Sequence, residues 1–128
     1  MRFYPLLLLL LTLNACSPEL AVSTNSTTMF QDALVTVQLS PADAPVETPL
    51  KLTVIADDIS AVSGSIAGVS MYMGRIPLRF SRVAEGFTAD FLLGACADPK
   101  MLWQLEIEIV YLDGKKHTVK QQFHSRWR

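Results

Sequence analysis

The sequence predicts an all-β fold: an immunoglobulin-like β-sandwich of about seven strands, with a small barrel as the runner-up closure. Three observations carry this. Apolar and polar residues alternate in run after run from Leu34 onward, which is the period of a half-buried strand. Gly, Pro, Asp and Ser punctuate those runs at short intervals. Beyond the N-terminal leader, no stretch repeats apolar residues at helical spacing. Short strands without crossover helices must pack sheet on sheet to bury their apolar faces.

The length of 128 residues suits one domain after a processed leader. Residues 1–15 read as a secretory signal. Met1-Arg2 is a short positive start, Leu6 to Leu11 is unbroken leucine, and Leu13-Asn14-Ala15 is a small-residue exit. The apolar run is too short to span a membrane. Leu13-Asn14-Ala15-Cys16 resembles the bacterial lipobox, which implies a lipidated Cys16 at the new N-terminus. Ser17, where an aspartate would signal inner-membrane retention, implies the outer membrane, facing the periplasm. The other reading is ordinary cleavage, with Cys16 free or in a disulfide to Cys96. Residues 16–30 are Ser/Thr/Asn-rich and read as a flexible tether; residues 31–128 form the sandwich.

Within that domain, Leu34 to Leu39 is a first strand, closed by Ser40-Pro41 and a connector dotted with Pro45 and Pro49. Leu50 to Ala56 is a second, with Leu50, Leu52, Val54 and Ala56 inward. A weak strand runs from about Ile59 to Met73, where Gly64 and Gly68 suggest a bulge or bend. Gly74 turns into Ile76 to Ser81, which Pro77 assigns to a sheet edge. After Glu85-Gly86, Phe87, Ala89, Phe91 and Leu93 point inward. The longest strand follows, with Trp103, Leu105, Ile107, Ile109 and Tyr111 inward and Gln104, Glu106 and Glu108 outward. Asp113-Gly114 is the strongest hairpin signal, returning the chain through His117 to His124 with Val119 and Phe123 inward.

Charge excludes one class of function. Removing the leader leaves 10 basic against 12 acidic residues, so no basic field exists to hold nucleic acid. An enzyme is not expected either. Asp57-Asp58 reads as a turn, and Glu106 and Glu108 as the wet face of the long strand. Nucleophile elbow, phosphate loop and HExxH motifs are missing. A Cys96–His124 nucleophile pair needs only to meet in space, but nothing in the spacing favours it. His117 and His124 lie seven apart and face opposite ways on one strand, so they cannot both serve one site; either could bind a divalent metal, but each reads first as a solvated strand histidine.

The soft ligands are more informative. Met71, Met73, Cys96 and Met101 fall within a 31-residue window that also holds Gly74, Gly94 and Pro99, with Gly68 just ahead of it. Thioether and thiolate sulfur select monovalent copper over harder ions. On a strand, Met71 and Met73 would share one face, roughly 7 Å apart. Cys96 sits in the loop-like run Gly94 to Lys100, and a lone thiol in an oxidising compartment must be buried, paired or metal-bound. The competing account is plain packing, since methionines fill gaps in β cores. Trp103, two residues past Met101, would be a wall of the site or core. The expectation is a cuprous-ion site, copper(I) held by Met71, Met73, Cys96 and Met101.

Met71-Tyr72-Met73-Gly74, Gly86-Phe87-Thr88-Ala89-Asp90-Phe91, Trp103-Gln104-Leu105-Glu106-Ile107 and Phe123 together resemble YtkA-like and FixH-like extracytoplasmic domains. The resemblance covers roughly Leu50 to Phe123 and rests on short motifs. It implies a small sandwich concerned with copper handling and cytochrome oxidase assembly, with a copper chaperone or oxidase assembly protein as partner. From that family only Met71 and Met73 carry over as metal residues. Cys96 departs from its pattern, and a lipid anchor would replace the transmembrane anchor of FixH-like proteins. The alternative function is a non-catalytic envelope lipoprotein that binds a protein partner through a sheet edge, without metal.

Overall fold

The computed structural model describes residues 25–127. The leader, Cys16 and the first part of the tether lie outside the described residues. Nine strands form among those described: β1 (Thr27–Gln31), β2 (Thr36–Ser40), β3 (Leu50–Ile55), β4 (Ile59–Gly68), β5 (Arg75–Leu78), β6 (Ser81–Val83), β7 (Gly86–Phe91), β8 (Leu102–Tyr111) and β9 (Lys116–His124). They make two antiparallel sheets, ordered β1-β2-β3-β7-β6 and β5-β4-β8-β9. With β1 set aside, these are the A-B-E-D and C′-C-F-G orders of an immunoglobulin-like Greek key. Neither sheet closes on itself, so the barrel alternative falls.

The alternation read in the sequence is what presses the sheets together. On β8, Trp103, Leu105, Ile107 and Ile109 are all fully buried. Leu39, Leu50, Leu52, Val54 and Ala89 join them from the other sheet in one continuous core. Each large apolar side chain buried this way contributes roughly 1.5–3 kcal/mol before entropy is counted. Outward residues of β8 face the lysines of β9. Glu106 stands directly opposite Lys120, and Glu108 reaches Lys116 at 3.5 Å. These carboxylates are the wet face, as expected.

Four details differ from the sequence reading. β1 begins within the stretch read as tether, because Met29 and Phe30 find core to pack against. The single run Ile76 to Ser81 is two strands, β5 and β6, and the chain crosses from one sheet to the other at Arg79-Phe80. Pro77 does lie on an edge strand, where its missing N–H is harmless. The weak strand stops at Gly68, so Val69 to Met73 is loop. Its bulge falls between Ile59 and Ala61, not at a glycine. Gly64 serves close approach instead: a Cβ there would stand 2.6 Å from the Glu106 carbonyl oxygen.

The ladder registers sort the connections into two ends. At the near end lie the start of β1, the loops 41–49, 69–74 and 92–101, and the C-terminal residues. At the far end lie the β1–β2, β3–β4 and β6–β7 turns and the β8–β9 hairpin. The hairpin forms as its Asp-Gly pair requires, with Gly114 at φ 85° and Asp113 Oδ1 accepting from Lys115 N–H at 2.9 Å.

Candidate functional site

At the near end, β4 and β8 hand their chains into two loops that stay in contact. The ladder runs one step past Gly68, where Val69 N–H donates to Leu102 O at 2.8 Å. Ser70 then clamps the loops together. Its hydroxyl oxygen accepts from Leu102 N–H at 3.0 Å, lies 3.1 Å from Asp98 Oδ2 as a donor, and lies 3.1 Å from Met101 Sδ. Asp98 Oδ1 accepts from Lys100 N–H at 2.9 Å, closing the tight turn that Pro99 starts. Gly68 is needed here: a Cβ would collide with the Met71 carbonyl and come within 2.5 Å of the Met101 methyl.

All four sulfur residues belong to this end, each in a different setting. Met71 is exposed, and it is not on a strand, so the same-face argument from period two does not hold for Met71 and Met73. Met73 is half-buried against the core, its methyl beside Gly94, and thus bridges the 69–74 and 92–101 loops. Cys96 is a free, half-buried thiol at the rim, donating to Asp98 O at 3.4 Å. Met101 is 1 % exposed, underneath, with its sulfur against Ser70. Met71 and Met73 thus lie on the 69–74 loop and Cys96 on the adjoining 92–101 loop, with Met73 in contact with that second loop at Gly94, while Met101 is buried. Trp103 is core: it is fully buried, and its indole N–H donates to Ser125 Oγ at 3.0 Å.

Harder donors do not gather. Among the described residues, no three His, Cys, Asp or Glu side chains are grouped so as to hold a metal ion. A metal at the near end would rest on thioether and thiol sulfur, the donor set that suits a soft monovalent cation. No hydrogen bond joins Cys96 to His124; the His124 Nδ1 faces Lys100 O at 3.0 Å.

The far end holds a polar cluster that sequence reasoning missed. His117 is not a solvated strand histidine: it shares the inner face of β9 with Val119, and its ring lies 6.5 Å from that of Phe30. Its Nε2 is 3.2 Å from Asp32 Oδ2, close enough for an ion pair, though the two are not aligned as a hydrogen bond. Asp32 Oδ1 accepts from Leu34 and Val35 N–H, both at 2.7 Å. These two N–H groups, and then His117, hold the Asp32 carboxyl below its ordinary range. Tyr111 has its hydroxyl buried without a hydrogen-bond partner, and burial, then the charges of Asp32 and Asp113, push its phenol up. The cluster pins the β1–β2 corner onto β9. Its one signal in the sequence was Asp32 two residues ahead of Leu34, the spacing of an Asx turn. A groove of about 490 Å³ opens beside it, between the apolar side chains of Leu34 and Leu112.

No family model, curated protein or solved structure matches this chain.

Proposed function

We propose that the protein is a periplasm-facing lipoprotein, anchored through Cys16, that binds cuprous ion at the near end and passes it to a membrane partner. The observation that supports this reading is that Met71 and Met73 lie on one loop and Cys96 on the loop that Met73 touches, with no group of three hard ligands among the described residues. Half-exposed sulfur at a rim can take up a soft ion and release it by ligand exchange. Met101 is the inner member of the set. Its thioether would reach the ion only by giving up Ser70, so its chief part is to hold the loops. Delivery to a copper chaperone or an oxidase under assembly is what the likeness to YtkA-like and FixH-like domains supports. No catalytic step is assigned.

Calorimetric titration with cuprous ion under reducing conditions tests this. The Met71→Ala plus Cys96→Ala variant should bind at least about tenfold more weakly, a difference of 1.4 kcal/mol. The Met101→Leu variant should bind nearly as the parent does. A weak response that the double variant leaves unaltered would overturn the copper reading. It would favour the second one, a metal-free interaction module, for which the outer edge of β9 is suited: nine residues long, it pairs, among the described residues, with β8 alone.

A further inference from the structure

The near end carries an apolar rim as well as sulfur. Val69, Met71, Tyr72, Leu92 and Trp127 stand exposed there, Tyr72 at 91 %. They come from three segments that are bonded to one another. Ser70 joins Asp98, Glu47 N–H donates to Leu93 O at 2.8 Å, and Val46 N–H donates to Arg126 O at 3.0 Å. The rim residues are therefore carried at one end of the sandwich on segments fastened together, and not on separate waving tips. Tyr and Trp are the side chains that favour the boundary between lipid and water. Its charges are answered in part, since Arg126 pairs with Asp43.

Exposed apolar side chains also occur at the far end, as Leu34, Val83 and Leu112. What separates the ends is where the chain departs. Asn25 is fastened at the near end, its carbonyl accepting from Ala42 N–H at 2.7 Å. Eight residues then separate it from Cys16, nine Cα steps that span at most about 32 Å. The ten-residue β8 makes the sandwich about 33 Å long. A bilayer holding Cys16 thus has the near end beside it, whereas contact with the far end would need the tether fully taut.

We propose that the rim formed by Val69, Met71, Tyr72, Leu92 and Trp127 docks on the phospholipid leaflet that anchors Cys16, so that the sandwich stands end-on with its loops at the membrane. This rests on the lipid-anchor part of the function proposed above and is independent of copper. Five side chains cover too little area to hold a soluble domain on a membrane. A tether of this length supplies the missing affinity as local concentration, in the way that two weak membrane signals combine.

The two tryptophans provide the test, because Trp103 is sealed in the core and Trp127 is on the rim. The full lipoprotein is reconstituted into vesicles of phosphatidylethanolamine and phosphatidylglycerol, with or without bromine on the acyl chains. Brominated lipid should quench the Trp127 emission, and the loss should vanish in the Trp127→Phe variant. A Tyr72→Asp plus Leu92→Asp variant should still float with the vesicles but lose the quenching. Protein that floats with the same emission in both kinds of vesicle would overturn the docking and leave the anchor intact, freeing the rim for a protein partner. Protein that does not float, and whose mass shows no acyl chain on Cys16, would overturn the anchor and the docking with it.

Discussion

Ser125 completes the bond that the largest core side chain depends on. Trp103 is fully buried, and its only polar atom, the indole N–H, donates to the Ser125 hydroxyl. Ser125→Ala would strand that donor away from water, with an expected loss of about 1–3 kcal/mol in denaturant unfolding. Asp32 makes a different prediction. Its carboxyl titrates below the ordinary aspartate value of 3.8, so the charged form is favoured in the folded protein. That contribution is present in full above the ordinary value and is lost as pH falls through the lower folded one. Asp32→Asn should be less stable than the parent at neutral pH, and the two should converge in acid, as thermal melts over an acid pH series would read.

Among the elements, β3, β7, β8 and the Asp113-Gly114 hairpin were legible because one face of each is wholly buried and the alternation is uninterrupted. Elements whose pairing is set by distant chain were not. β1 forms only because β2 offers it an edge and the core takes Met29 and Phe30. The division between β5 and β6 is a change of sheet, which side-chain period does not encode. Gly64 belongs to this scale too. It lets the β4 and β8 backbones close up, so Gly64→Ala should force them apart at the centre of the sheet. A loss of about 1–3 kcal/mol is expected from chemical denaturation.

Over the whole molecule, the two ends divide the work. The far end is fastened by Asp32 and His117, which tie the β1–β2 corner to β9, and by the hairpin that joins β8 to β9. The near end carries the sulfur residues, the exposed apolar side chains and Asn25, where the described residues begin. If both proposals hold, the copper site faces the membrane, within reach of an integral partner. The two are separable by experiment. Tyr72→Asp plus Leu92→Asp should abolish docking yet keep cuprous affinity, because neither residue supplies sulfur.

The sequence by itself determined the all-β fold, the inward faces of β3, β7, β8 and β9 and the hairpin, since a period of two and an Asp-Gly pair are local properties of the chain. It also singled out Met71, Met73, Cys96 and Met101 as a set, because residue type is enough to recognise soft donors. Tertiary structure alone decided that Met71 and Met73 lie on a loop, that Met101 is buried behind Ser70, and that Trp103 is core. It also brought Asp32 to His117. Those outcomes depend on which loops meet at one end of the sandwich, and that is settled by strand pairings between residues far apart in the chain.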